Sequence, residues 1–472
     1  MESSNKWYEK VPVQKEGENA MSEAMLALLG FATIIIVIAL LLRNVTVPAL
    51  AFVSVSTVTG AILVATGTFT IEEMGEFVTA GVAGVHGTAA LFIFSVLFFG
   101  IMTDVGMFDK IINALMKKVG SNVVGVAMMT CIIAMIGHLD GGGASTFLIT
   151  IPAMLPVYKK MHMRPVTLLR IAVISMGVLN LMPWAGPTMR AATVLGIEAS
   201  SLWQTLLPIQ ACGIVLALVV AVINGVIEQK RGAGLNGRLA KEAGVHSAEE
   251  EAAASEENKD LARPKLFIFN IILTIAVIAL LIKDIFPSYV PFMIGVAVAI
   301  LVNYPGAKMQ KKIINMHSGP ALMMCSTLMG AAVLMGILVK DIEGVTSVIT
   351  CMSNLISSIL PAALGQHLPL VIGILSVPLA LAFDTDSYFY GMLPVMIGIG
   401  EGFGVSAMPI AVAMVVCRNC ATFISPMVPA TLLGVGLADV DIKDHIKNSF
   451  LWVWGFSIVC MLIAIVLGIM PL

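Results

Sequence analysis

Asp140-Gly141-Gly142-Gly143-Ala144-Ser145-Thr146 interrupts one long apolar stretch, and Asn180-Leu181-Met182-Pro183-Trp184-Ala185-Gly186-Pro187-Thr188-Met189-Arg190 breaks the next. Both interruptions return in the second half. Asp384-Thr385-Asp386-Ser387 is the counterpart of the first, and Asn419 through Ser425 and Pro426 the counterpart of the second. Proline inside a helix removes an amide donor and clashes with the preceding turn. Irregular backbone survives at membrane depth only where protein or a wet cavity supplies hydrogen-bond partners. Interruptions at matched places in two membrane-embedded halves therefore point to a secondary transporter with its site where the halves meet.

At 58% apolar and 12% charged residues, the chain lacks the polar surface a soluble globule needs. It reads as an all-α polytopic membrane protein. Apolar runs of the roughly 17 to 25 residues that cross a bilayer begin near Ala24, Pro48, Gly87, Pro165, Leu202, Leu266, Pro291, Ser318, Val405 and Ser449, which makes ten crossings. Two further apolar segments, about 121–159 and 367–400, are interrupted at the middle by the acidic clusters and read as re-entrant hairpins. A polar N-terminal tail (1–22) precedes repeat 1 (23–227), whose fourth crossing is the broken helix about 166–198. A polar linker (228–264) leads to repeat 2 (265–472), with its broken helix about 405–437. Five crossings per half is an odd number, so the halves are expected to be inverted repeats.

The net charge of −2 hides an asymmetry. Of the basic residues outside the spans, 19 fall on one side, including Arg43, Lys159, Lys160, Arg164, the linker bases, Lys308, Lys311 and Lys312, and 5 on the other. The positive-inside rule puts the first side in the cytoplasm and both termini outside. A prokaryotic plasma membrane is the expected location, with the lipid bilayer as partner and no nucleic acid. The first 22 residues are polar and a full span follows, so no cleavable signal is expected. Cys417 and Cys420 have CxxC spacing without a second ligand pair, which favours two small apolar side chains on one helix over redox or metal binding. Met107–Val119 and 305–317 read as amphipathic stretches beside the third span of each half.

Few ionisable groups remain inside the spans: Asp140, Asp384, Asp386, Arg190 and Arg418. Each costs about 2.5 to 3.5 kcal/mol at a helix centre, so each is a functional candidate. Arg170 sits near the end of its span and is expected to snorkel. The break from Asn180 to Arg190 frees carbonyls for a cation and exposes a helix N-terminus and a guanidinium for a carboxylate. Ser145, Thr146, Thr188, Arg190, Ser387 and Tyr388 are accordingly the expected substrate-binding residues. Asp140, Asn180, Asp384, Asp386, Asn419 and Arg418 are expected to serve cation or proton coupling, with Asp140, Asp384 and Asp386 as metal ligands if a metal travels with the cargo. Asp/Arg pairing that only fixes helix packing is the plainer alternative. His138 has two readings, a proton shuttle or a packing histidine. Tyr388, Phe389 and Tyr390 either line the cavity or pack the hairpin.

Several of these runs resemble one family. Phe99-Gly100-Ile101-Met102-Thr103-Asp104-Val105-Gly106-Met107-Phe108-Asp109, His138-Leu139-Asp140-Gly141, Pro183-Trp184-Ala185-Gly186, Tyr388-Phe389-Tyr390-Gly391-Met392-Leu393-Pro394 and Ser425-Pro426-Met427-Val428-Pro429 are similar to the citrate-metal:proton symporters (CitMHS). These belong to the ion-transporter superfamily, which also holds the divalent-anion:sodium symporters. The resemblance implies uptake of citrate complexed with Mg²⁺ or Ca²⁺ and driven by protons, by a homodimer whose hairpin-bearing unit moves like an elevator. The chain departs from the family pattern at Gly142, where a second acid is usual, at Thr385-Asp386-Ser387, which carries the extra Asp384, and at Cys417-Arg418, where glutamine and histidine are usual.

The sequence thus leads to a symporter, not an enzyme, with no bound cofactor and with H⁺, Mg²⁺/Ca²⁺ or Na⁺ as transported or coupling ions. A sodium-coupled di- or tricarboxylate carrier of the same fold is the alternative. An intramembrane aspartyl hydrolase would leave the matched breaks unexplained, and a channel would need a ring of like ligands that neither hairpin offers.

Overall fold

The computed structural model describes residues 21–43, 45–116, 122–235, 261–283, 285–339 and 346–470, and among them every regular element is helical. In chain order the first half contains α1 (Glu23–Leu42), α2 (Pro48–Ala65), α3 (Ile71–Gly84), α4 (His86–Asp104), α5 (Met107–Met116), α6 (Val123–Gly137), α7 (Gly143–Lys160), α8 (Pro165–Leu179), α9 (Gly186–Leu195) and α10 (Ala199–Arg231). The second half contains α11 (Phe267–Lys283), α12 (Tyr289–Asn303), α13 (Ala307–Val339), α14 (Val348–Ile359), α15 (Ala362–Gln366), α16 (Leu368–Ala380), α17 (Leu393–Gly402), α18 (Ala407–Cys420), α19 (Pro429–Leu437) and α20 (Ile442–Val466). Among the described residues, 8 helical segments are long and apolar enough to cross a membrane.

Two sequence expectations change. The third span, expected to begin near Gly87, is α4 from His86, but a further helix precedes it from Ile71, started by a capping box in which Thr70 and Glu73 satisfy each other's amides. Residues 305–317 do not form a separate amphipathic piece, because Ala307 to Val339 is one continuous helix. The amphipathic element of the second half instead follows that helix: α14 buries Val348, Ile349, Cys351 and Met352 while Ile359 is exposed. In the first half α5 buries Phe108 and Ile112 and exposes Asp109 and Lys110; Lys117 and Lys118 lie outside the described residues.

The linker boundary also shifts. α10 runs on to Arg231, and its Glu228 is wholly buried between Arg164 Nε at 2.6 Å and Arg231 Nη2 at 2.9 Å. On the far side Arg263 N donates to Val105 O at 3.0 Å and Tyr304 Oη to Leu261 O at 2.9 Å, so the chain is docked again before α11. Residues 236–260, the middle of the expected linker, lie outside the described residues.

Lipid is as apolar as a leucine side chain, so membrane helices associate through close packing, which small residues permit. α3 and α13 cross where Gly81 meets the Ala332 carbonyl and Gly336 meets the Phe77 carbonyl, leaving no room for a Cβ at either position. α13 also packs on α2 and α4, α12 on α4, and α1 on α14. A second set of contacts joins α6 to α8 and α10, and α16 to α18 and α20. Arg170 is not a snorkelling residue. It is 4% exposed, donates from Nη1 to Asn224 Oδ1 at 2.8 Å and has its Cζ 5.3 Å from the Trp452 ring centre, because α10 and α20 cover it on the flanks.

Candidate functional site

Four interruptions form the site. α6 ends in a short 3₁₀ turn, His138–Asp140, and Gly141 follows at φ 72°, a left-handed conformation that glycine adopts without a Cβ penalty. The chain can then re-enter as α7. Between α8 and α9 the helix opens over residues 180–185, with Pro187 in the first turn of α9, where its missing amide costs no hydrogen bond. In the second half the hairpin opens after Ala380 and resumes as a wide turn, Ser387–Met392, running into α17. α18 ends at Cys420, and α19 resumes at Pro429.

The hairpin tips and helix breaks meet. A Cβ on Gly141 would stand 3.5 Å from Trp184 O, so the first tip lies on the first break, where Trp184 Nε1 also donates to Leu139 O at 2.8 Å. The two breaks touch through Asn419 Nδ2, which donates to Asn180 O at 3.1 Å. Gly177 makes this approach possible, since a Cβ there would lie 2.9 Å from both Asn419 O and Cys420 Cα. α9 packs on the turn Ser387–Met392, and α7 packs on α19.

Arg190 and Asp386 complete the junction. Arg190 Nε donates to Asp386 Oδ1 at 2.6 Å, with each side chain 13% exposed. A Cβ on Gly186, one turn before Arg190, would stand 2.5 Å from its Nη1, so this glycine makes room for the guanidinium. Sequence inspection did not single out Gly186. Its signal is a glycine four residues ahead of a buried arginine on the same helical face.

The polar residues divide into engaged and unengaged groups. Asp140 accepts from Gly142 N at 2.7 Å and from Ser145 Oγ, so both oxygens serve its own hairpin. Thr146, wholly buried, donates to Gly142 O at 2.7 Å, and Thr188 Oγ1 donates to Asn180 O at 2.8 Å. Three hydroxyls expected to hold substrate, those of Ser145, Thr146 and Thr188, therefore already have protein acceptors. Ser387 Oγ is buried and has no partner among the described residues. Tyr388 is wholly buried, its hydroxyl 2.6 Å from Ser376 Oγ; Phe389 and Tyr390 are buried too.

His138 is fully enclosed, with Nδ1 2.7 Å from Thr146 Oγ1 and Nε2 3.0 Å from Asn180 Oδ1, and its ring stands edge-on to Phe423. It thus ties the first hairpin to the first break. Asn180 Nδ2 and Asn419 Oδ1, on the two residues that meet at the crossing of the breaks, have no partner among the described residues. Arg418, wholly buried, donates from Nη1 to Thr422 Oγ1 at 3.1 Å and from Nη2 to Phe383 O at 3.3 Å.

Among the described residues no three of His, Cys, Asp and Glu converge, so Asp140, Asp384 and Asp386 do not form one carboxylate cage. Asp140 is held by its own hairpin, Asp384 Oδ1 accepts from Ser387 N at 2.9 Å, and Asp386 pairs with Arg190. The first tip carries one of these carboxylates and the second tip carries two.

Comparison with known proteins agrees with this architecture. The family model CitMHS, described as citrate transporter, matches residues 26–417. The chain is 35% identical over 445 residues to a citrate transporter of Bacillus subtilis strain 168, covering 94% of this chain and 99% of that protein. It is 32% identical over 444 residues to a Mg²⁺/citrate complex secondary transporter of the same organism, with the same coverage of 94% and 99%. In fold it is similar to the YdaH transporter of Alcanivorax borkumensis, with a TM-score of 0.60 at 13% identity over 92% of this chain and 100% of that one. With interrupted helices meeting inside a bundle of membrane length, and a family match over most of its residues, the chain belongs to the citrate transporter family and is a membrane transporter, not an enzyme.

Proposed function

We propose that the protein is a symporter that carries citrate complexed with a divalent cation, coupled to protons, across a prokaryotic plasma membrane. The observation that carries this reading is the ion pair between Arg190 and Asp386, drawn between the first break and the second hairpin. Opening an enclosed ion pair is costly if either charge is left alone. A metal–citrate complex offers a carboxylate to Arg190 and a cation to Asp386, so each partner exchanges one counter-charge for another and neither stays unpaired. Free citrate satisfies only the arginine. The Mg²⁺/citrate carrier among the relatives supports the same cargo.

In this reading Arg190 and Ser387 take the anion, with Ser145, Thr146, Thr188 and Tyr388 shaping the tips around it. Asp386 takes the metal, and Asp140, Asp384, Asn180, Asn419 and Arg418 serve the coupling charge. The free amide atoms of Asn180 and Asn419 support a polar role at the crossing.

The two halves, 23–227 and 265–472, act as inverted repeats. What supports this is the order of elements: two helices, a long third segment (α3 with α4 in the first half, α13 in the second), an amphipathic helix, a hairpin, a broken helix and a final helix, with the short α15 extra in the second half. Corresponding pairs also pack alike, α6 with α8 and α16 with α18. α13 with α1 to α4 and α12 forms the scaffold of a homodimer, and the hairpins and broken helices move against it as an elevator, with both termini outside the cell.

The test is uptake of labelled citrate into proteoliposomes with Mg²⁺, Ca²⁺, Na⁺ and pH varied separately. The reading expects uptake that needs a divalent cation and a proton gradient. Uptake of di- or tricarboxylates that needs Na⁺ and ignores divalent metal would favour the sodium-coupled alternative.

A further inference from the structure

Arg418 is an enclosed guanidinium at the site that makes no direct ion pair among the described residues, although Asp384, next to the Phe383 carbonyl it holds, lies near enough to feel its charge. Arg190 pairs with Asp386, and Arg164 and Arg231 pair with Glu228, yet among the described residues no carboxylate pairs with Arg418. It is nonetheless 0% exposed. Its Nη2 holds the carbonyl of Phe383, the residue before Asp384 at the hairpin tip, and its Nη1 holds Thr422 in the second break. Its Cζ lies 5.6 Å from the centre of the Tyr388 ring, and its Nε has no partner.

The equivalent joint in the first half is neutral. Leu179 stands before Asn180 as Arg418 stands before Asn419. There the carbonyl of Leu139, the residue before Asp140, takes the Trp184 indole N–H at 2.8 Å, and His138 bonds Asn180 and Thr146. The two joints thus differ by one full positive charge. A carbonyl oxygen, a hydroxyl oxygen and the face of an aromatic ring form a cation-binding set. In the second half that set is filled by a side chain that cannot lose its proton.

We infer that Arg418 is a tethered cation: it fills, between the second hairpin and the second break, a place otherwise suited to a mobile coupling ion, so the carrier draws one cation fewer per cargo. This rests on the symport reading above. It assigns the fixed charge to the cation side of the transport cycle and not to cargo binding.

The experiment compares wild type, Arg418→Gln and Arg418→Lys in proteoliposomes at fixed pH and fixed Mg²⁺–citrate, titrating Na⁺, K⁺ and guanidinium against choline. Arg418→Gln is expected to lose most uptake in choline and to recover it with a saturable requirement for one added small cation, its reaction order in that cation rising by one over wild type. Arg418→Lys is expected to keep the wild-type order. A folded Arg418→Gln carrier with the wild-type order overturns the inference, as does a loss confined to tricarboxylates that no cation restores, which would assign Arg418 to the cargo. If Arg418→Gln is too unstable to reconstitute, its melting curve in detergent decides: Na⁺ or guanidinium raising the midpoint of the variant but not of wild type supports the tethered cation, and equal responses overturn it. Wild type that takes up no metal citrate ends the symport reading and this inference together. Normal wild-type uptake with an unchanged variant order ends only the inference.

Discussion

Arg190 and Asp386 stand 196 positions apart in the chain, and their side chains meet at 2.6 Å. One belongs to the helix that resumes after the first break, the other to the tip of the second hairpin. Their contact is an ion pair between the two halves of the chain.

Replacing Arg190 with alanine should abolish citrate uptake while leaving the carrier extractable and monodisperse in detergent. Arg190→Lys should reduce uptake by at least about tenfold, or roughly 1.4 kcal/mol, because an ammonium lacks the planar fork that grips a carboxylate. Near-normal transport by the alanine variant would remove Arg190 from the site.

Asp386→Asn leaves the Arg190 charge partly enclosed without its acid. The expected destabilisation is about 3 kcal/mol, the lower end for breaking a buried pair, since both side chains keep some solvent contact. Adding Arg190→Gln should restore part of that loss in a thermal-melting double-mutant cycle. Strictly additive effects would mean that the two groups do not depend on each other.

His138→Ala would leave Asn180 Oδ1 without its partner inside the protein, while Thr146 Oγ1 keeps its bond to Gly142 O. Leaving buried polar groups unsatisfied costs about 1–3 kcal/mol each, so the melting midpoint in detergent should fall clearly, with or without citrate. A variant that melts like wild type while transporting nothing would instead favour the proton-shuttle reading.

Gly177→Ala would drive a Cβ against backbone, 2.9 Å from Asn419 O and 2.9 Å from Cys420 Cα, where no flexible side chain can yield. Overpacking of this kind costs about 1–3 kcal/mol, and by separating the two breaks it should lower both stability and uptake. Gly319→Ala is the control: nothing lies within 4 Å of a Cβ there, so melting and transport should stay at wild-type levels. Equal behaviour of the two variants would argue that the crossing of the breaks tolerates separation.

The main features legible in the sequence were local ones. Gly141 to Gly143, Pro183 and Pro187 mark interruptions because backbone donors and dihedral freedom belong to each residue itself, and span lengths follow from runs of apolar side chains. Ile71–Gly84 escaped notice because Glu72, Glu73 and Glu76 dilute its apolar pattern, although Thr70 and Glu73 carry the spacing of a capping box. α14 escaped because its apolar face is too short to read as a span.

The chain alone determined that this is a membrane protein with paired interrupted helices and a handful of intramembrane charges, since hydropathy and helix breaking act over a few neighbouring residues. Only the tertiary structure decided what each charge faces. It paired Arg190 with Asp386, enclosed Arg170 beside Asn224, gave Arg418 a hydroxyl and a carbonyl in place of a carboxylate as hydrogen-bond partners, and turned Ser145, Thr146 and Thr188 to acceptors of the protein itself. Those outcomes depend on which distant segments share a contact, and at membrane depth each polar atom bonds to whatever neighbour the packing supplies.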